Sequence, residues 1–295
     1  TTPVSNVGYA AVDARQTAFL SLTGGGNIID NMSNGIVGHR SNLEVSGLTM
    51  NAIQPDPAYA YEGNGSAIYA LGDHGDFKLN QQGYGIGTVN FRNCKWGLYT
   101  EYMTVYSEQN YMQDVDVGYH VEKSGHRYVS LLENRIEAHY DGIDLLFNEG
   151  AFQVLVQNND ITFGDVPNGA PPTKCSAILV NEGNVPSEDS RILNNTIHFA
   201  ANLSAYTGIY MRAANRWLVA ENYLYMASNA LNSYGILTNG CTDFEVSCNH
   251  VNGAANNYIN NRQTAIYNNM GEAGLFSCNV MDQTTNGMLF NGYAY

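Results

Sequence analysis

The chain has 295 residues, 44% of them hydrophobic and only 14% charged, and its formal charge is -14, with 13 Lys and Arg against 27 Asp and Glu. A nucleic-acid binder needs a basic footprint to neutralise phosphates, and an anionic membrane surface makes the same demand, so both partners are set aside. No apolar run approaches the roughly 20 residues of a spanning helix, so no membrane insertion is expected, and the five Cys form no metal-type CxxC pair.

The abundant Asn, Gly and Tyr make a turn-rich, β-prone composition. In the first ninety residues, "NGIVGHRSNLEVSGLTM" (34–50) and "GSAIYAL" (65–71) read as less regular coils, with Gly47 where later coils place an Asn. From Gly97 onward two landmarks alternate. One is a small residue opening an apolar run: Gly97, Gly118, Gly142, Ala177, Gly208, Gly235, Ala265 and Gly287. The other is an Asn after a strand-like run: Asn110, Asn134, Asn159, Asn195, Asn222, Asn249 and Asn279. The Asn spacings are 24, 25, 36, 27, 27 and 30 residues. Internal periods of this size mark solenoids. The pattern predicts coils of about 24–36 residues built from short strands, with Asn at a tight bend and identical amides stacked in a hydrogen-bonded ladder. Length varies mostly between Asn and the next small residue, with "GDVPNGAPPTK" (164–174) the longest insertion.

These landmarks resemble those of right-handed parallel β-helix proteins, the pectin-lyase-like superfamily of pectate lyases, polygalacturonases and phage tailspikes. The closest likeness in style is to bacterial secreted or cell-surface β-helix repeat proteins. The resemblance is clear over about 90–295 and looser before it. It implies an all-β, right-handed parallel β-helix solenoid forming a single domain over 1–295. The end "LFNGYAY" lacks a recognisable cap. Solenoids need polar caps, so a longer chain or a stacking neighbour is expected.

Strand alternation assigns faces. The residue after each small landmark should face the core: Leu98, Tyr119, Ile143, Ile178, Ile209, Ile236, Ile266 and Met288. The next should face outward: Tyr99, His120, Asp144, Leu179, Tyr210, Leu237, Tyr267 and Leu289. The position two before the landmark is also assigned outward, which places Lys95, Asp116 and Tyr206 on the surface. The outward face then divides into an acidic zone and a Tyr/Asn zone.

Lys95, Asp116, His120, Glu122 and Asp144 are the catalytic candidates, because paired carboxylates on neighbouring rungs suit acid/base work on glycosidic bonds. "DGID" (141–144) resembles the Asp pair of polygalacturonases, but the following coil reads "KCSAILV" where that family places a further Asp pair. A lyase-like reaction would use Lys95 as base and Ca²⁺ held by carboxylates; without one, no metal or cofactor is expected. The competing expectation is a solvated, charge-paired face. Tyr206, Tyr210, Tyr267 and Asn239 are the glycan-binding candidates, since flat rings stack on sugars and amides bond hydroxyls. Cys248 and Cys278, each preceding a ladder Asn, are expected as two stacked, buried thiols. His39, His74, His126, His139, His198 and His250 show no ligand spacing and are expected as scattered surface or turn residues.

The resulting expectation is an extracellular or cell-surface module with a structural or adhesive role, contacting glycans or neighbouring copies or coils of the same scaffold. The alternatives are a polysaccharide lyase or glycoside hydrolase acting on an acidic polysaccharide, and a tailspike-like glycan-binding protein.

Overall fold

A computed structural model describes residues 8–16, 20–58, 61, 63–72, 83–124, 127–146, 153–163, 175–181, 190–199, 205–226, 232–254 and 263–292. Among these there is no helix, and every strand pairing is parallel within one continuous network. The chain winds as a parallel β-helix, each coil adding a rung to three strand faces. The first face runs from Gly8–Arg15 through Met32–His39, Ser66–Leu71 and Trp96–Glu101 to Asn286–Asn291 without a break. The described first-face strands before residue 90 thus stack in the same column as the rest. The second face includes Thr104–Glu108, Tyr128–Leu132 and Gln153–Gln157, and the third Asp160–Phe163, Thr196–Phe199 and Tyr223–Tyr225.

The core is built by register. Ile36, Ile68, Leu98, Tyr119, Ile143, Ile178, Ile209, Ile236 and Ile266 stack on one another and are fully buried. Each such side chain contributes about 1.5–3 kcal/mol by leaving water. The inward assignment of this column therefore holds.

The small landmark has a steric cause. A Cβ placed on Gly118 would lie 2.5 Å from the Gly142 carbonyl oxygen, and one on Gly235 would lie 2.6 Å from that of Ala265. Each rung's small residue faces the carbonyl of the next, so a larger side chain at this corner would force the coils apart.

The Asn landmark forms the expected ladder. The Nδ2 of each of Asn110, Asn134, Asn159, Asn195, Asn222 and Asn249 donates to Oδ1 of the next at 2.9–3.0 Å. Each backbone N–H donates to that same oxygen at 2.9–3.1 Å. The bend itself is made by the residue before. Gln109, Glu133, Asn158, Asn194, Glu221, Cys248 and Cys278 carry positive φ, and the ladder Asn residues do not. Gly47 likewise takes the bend (φ 67°), and Leu48 occupies the ladder position, one column step from Val89 and two from Asn110.

Two expectations fail at such bends and corners. Cys248 and Cys278 are exposed and joined as a disulfide with Cα atoms 4.6 Å apart, because the bend turns both side chains off the core; Cys94, Cys175 and Cys241 are the buried free thiols. The position two before the small landmark turns inward at Cys175, Tyr206, Ser233 and Gln263, which are all buried, whereas Lys95 and Asp116 are partly exposed and Tyr140 is exposed, as expected. The alternation resets where the backbone turns into the first face. The insertion 164–174 lies outside the described residues. On the last described coil Leu275, Val280, Leu289 and Phe290 are exposed.

Candidate functional site

The structure brings His120, Glu122 and Asp144 together and leaves Lys95 and Asp116 apart from them. His120 and Asp144 stand opposite each other on adjacent rungs, and Glu122 is two residues along the same strand as His120. The imidazole Nε2 lies 3.4 Å from Glu122 Oε2, and Nδ1 lies 3.5 Å from Asp144 Oδ2. Lys123, at a positive-φ bend, places Nζ 2.5 Å from Glu122 Oε1 and 2.7 Å from Glu101 Oε1. The result is a chain of alternating sign over three coils: Asp144, His120, Glu122, Lys123, Glu101.

Aromatic rings enclose it. Tyr99 stacks on the imidazole with centroids 4.4 Å apart, and Trp96 meets the same ring edge-on at 5.1 Å. The Tyr99 hydroxyl donates to Glu122 Oε2 at 3.3 Å. His120, Glu122 and Asp144 are 5%, 7% and 7% exposed, so this part of the charge-paired face is buried, while Lys95, Glu101, Asp116 and Lys123 remain partly exposed. Alternation directs these side chains away from the core, but Tyr99, the preceding residue of the outer column, and Trp96 beside it pack on His120, and Tyr69 backs Tyr99.

The electrostatics follow from this enclosure. Burial is the largest single influence on His120 and would lower its pKa, but Asp144 and then Glu122 together outweigh it and raise it to about 9. The hydrogen bond from His120 chiefly, with Lys123 adding to it against burial, pulls Glu122 down to about 2. The imidazole is therefore protonated at neutral pH and has no lone pair with which to act as a base. The two carboxylates occupy opposite ring nitrogens and do not converge on one point, so the set does not fit Ca²⁺, which gathers its oxygens around one centre. Among the described residues no group of three or more His, Cys, Asp or Glu is placed to hold a metal ion. What the arrangement can do is clasp three coils together.

Asp116 lies beside His139 and Lys95, and burial raises its pKa above the usual carboxylate range while those two neighbours oppose the shift. Lys95 sits over the Trp96 ring at 5.3 Å. Asp141 of "DGID" accepts a 2.8 Å bond from the Ser176 backbone N–H, tying one coil to the next.

The glycan-binding candidates scatter. Tyr206 is in the core, stacked on Phe199 at 4.0 Å. Tyr210 and Tyr267 are partly exposed two rungs apart, and Tyr267 stacks on Tyr234 at 5.5 Å. Asn239 accepts from Asn269 at 3.0 Å, and Asn269 from Asn291 at 3.0 Å, which makes a second, outer amide ladder.

The most exposed aromatic strip lies elsewhere, on the third face. Tyr223 and Tyr225 are 45% and 40% exposed. His198 lies parallel to Tyr225 at 4.5 Å, and His250 meets Tyr223 at 6.0 Å. His198 is exposed and His250 and His39 are partly exposed, as expected of surface residues, but all three lie on strands and not turns, His198 and His250 in register with Tyr, and the strand residue His139 is buried; His74 and His126 lie outside the described residues. The signal for this strip was present in the sequence: the residue after each ladder Asn points outward, and Tyr111, Tyr223 and His250 occupy that position.

Fold and site together define an all-β parallel β-helix with an internal asparagine ladder. No protein-family model, curated protein or solved structure matches the chain.

Proposed function

We propose that this chain is a non-catalytic, extracellular or cell-surface β-helix module of the right-handed, pectin-lyase-like kind, with a structural or adhesive role in which it contacts glycans. The observation that carries the reading is the strip of Tyr223 and Tyr225 with His198 and His250, on the outer side of a parallel sheet. Aromatic faces displayed this way stack on the apolar faces of sugar rings, and a regular sheet holds them without loss of loop entropy. The lyase or hydrolase alternative is weakened by the closure of the His120 clasp, whose carboxylates are buried and already committed to partners.

Affinity electrophoresis against a panel of neutral and acidic polysaccharides tests the reading. Retention by at least one polysaccharide is expected. At about 1 kcal/mol per ring, the double variant Tyr223→Ala/Tyr225→Ala should weaken it by roughly thirtyfold. Absence of retention across the panel would overturn the glycan contact. Release of unsaturated or reducing ends from an acidic polysaccharide, abolished by Asp144→Asn, would overturn the non-catalytic reading.

A further inference from the structure

The disulfide between Cys248 and Cys278 occupies the bend before the asparagine ladder on two successive rungs, at positive φ of 55° and 45°. Both cysteines are exposed. They tie the coil at 270–292 to the rest of the solenoid. Packing holds that coil loosely. None of residues 270–292 is buried, and Phe276, Met281 and Met288 pack against the core while only partly buried. Its second and third faces are strands of three residues, Leu275–Ser277 on Glu245–Ser247 and Val280–Asp282 on His250–Asn252. Ladder bonds run from Asn249 to Asn279, and Val280 N–H donates to Asn249 O at 2.8 Å. Segments with few buried apolar contacts open locally at little free-energy cost, so the covalent bond supplies much of what ties this coil down.

The remaining cysteines do not compete with this pair. Cys94, Cys175 and Cys241 are buried free thiols. Burial pushes all three up, Cys94 and Cys175 to about 12. A thiol held that far above neutral pH is not a thiolate, and the thiolate is the form that attacks a disulfide. The exposed disulfide, in contrast, can be reached by a thiolate from solvent, and exposed disulfides are the labile ones. Accessible sulfur and a loosely packed coil thus coincide at one corner of the solenoid.

We propose that the Cys248–Cys278 disulfide is a site of thiol–disulfide exchange through which a dithiol reductant releases the coil at 270–292. A thiolate of the dithiol attacks one cystine sulfur, the S–S bond breaks, and the other cysteine leaves as a thiolate. The second thiol of the reductant, as its own thiolate, closes on the mixed disulfide and expels the first cysteine. Two electrons pass from the dithiol to the cystine, and the two thiol protons of the reductant end, by way of water, on the two cysteines. Hydrogen bonds and partly buried side chains then hold the coil alone. Its opening turns Glu245–Ser247 and His250–Asn252 into edge strands, whose free backbone groups are templates for pairing with another chain.

The test is hydrogen exchange of the full chain, read by mass spectrometry at neutral pH before and after dithiothreitol. Thiol titration without denaturant should find no reactive thiol at first and two after reduction. Exchange at 270–282, where the Glu272, Leu275 and Val280 N–H groups bond the preceding coil, should then rise about thirtyfold or more, the size expected when a disulfide-closed loop is opened. Exchange in Arg135–Leu146, the strand that carries Asp144 of the clasp, should stay the same. Cys248→Ser/Cys278→Ser should show the reduced pattern without reagent, and reoxidation of the reduced parent should restore the original one. Reactive thiols before reduction, a disulfide that resists dithiothreitol in the folded chain, or exchange at 270–282 that reduction leaves unchanged overturns the proposal. So does an equal rise in Arg135–Leu146, which would make the bond a staple of the whole solenoid and not a latch on one coil.

Discussion

One outward column of the first face runs through both halves of the solenoid, and the two halves use it differently. In the earlier coils it reads Tyr69, Tyr99, His120, Asp144, and all four side chains are buried. In the later coils it reads Leu179, Tyr210, Leu237, Tyr267, and all four are partly exposed. Backbone and register are the same. Alternation decides only which side of the sheet a residue is on; neighbouring side chains decide whether that side meets water. The earlier coils bury ions there and need a closed set of partners. The later coils put apolar and aromatic groups in the same place and need none.

The largest expected effect tests that contrast directly. His120→Ala leaves Glu122 and Asp144 buried opposite an empty space, and removing one partner of a buried ion set costs about 3–5 kcal/mol. Tyr210→Ala, at the equivalent position of a later coil, should cost about 1 kcal/mol. Denaturant unfolding of both variants measures the gap, and equal losses would dissolve the comparison.

The clasp also sets a pH window. The folded-state pKa of His120 is raised from 6.5 to about 9, so its stabilisation is complete below about 6.5 and lost as pH climbs through 9. That of Glu122 is lowered from 4.5 to about 2, so its stabilisation is present above about 4.5 and lost as pH falls through 2. The clasp is strongest between those limits. The His120 contribution corresponds to about 3 kcal/mol, so urea midpoints should fall between pH 6 and pH 10 in the parent and stay flatter in His120→Ala.

Much of the scaffold was legible in the sequence because repetition amplifies weak local signals. The inward column was readable from Leu98 to Ile266, and the pairing of His120 with Asp144 followed from register alone. Three things were not. The bend residues Gln109, Glu133 and Cys248 have no common chemistry, because the ladder Asn beside each supplies the hydrogen bonds that hold the turn. Tyr206 was misassigned because alternation cannot be carried backwards through the corner at Gly208, where stacked carbonyls impose their own geometry. Lys123 was overlooked because it sits at a bend after Glu122, where alternation gives no direction. The burial of the clasp was invisible for a related reason: Trp96 and Tyr69 each look like ordinary strand residues until the rungs are stacked.

A smaller effect is expected when the early column is rewritten in the language of the later one. In His120→Leu/Asp144→Leu the buried charges leave together, and Glu122 keeps Lys123 and Tyr99. Replacing buried ion pairs by apolar groups is often close to neutral. The double variant should therefore lie within about 1–2 kcal/mol of the parent, well above His120→Ala, and lose the His120 part of the pH response. A double variant as unstable as the single one would mean that the early coils need the ions for packing and not merely for mutual satisfaction.

The smallest effect is expected in the later coils. Two residues beyond the contrasted column, Glu101 and Glu122 of the earlier coils are bridged by Lys123, whereas Asn239, Asn269 and Asn291 of the later coils are linked amide to amide. Asn269 is partly exposed, so water can replace both of its amide partners when it is removed. Asn269→Ala should cost only about 0.5 kcal/mol, the net worth of solvent-accessible hydrogen bonds, measured as a shift in the denaturant midpoint at unchanged slope. A loss above about 1.5 kcal/mol would place the outer ladder among the interactions that fix the later coils in register, and the two halves would then differ in the chemistry of their outer columns but not in their dependence on them.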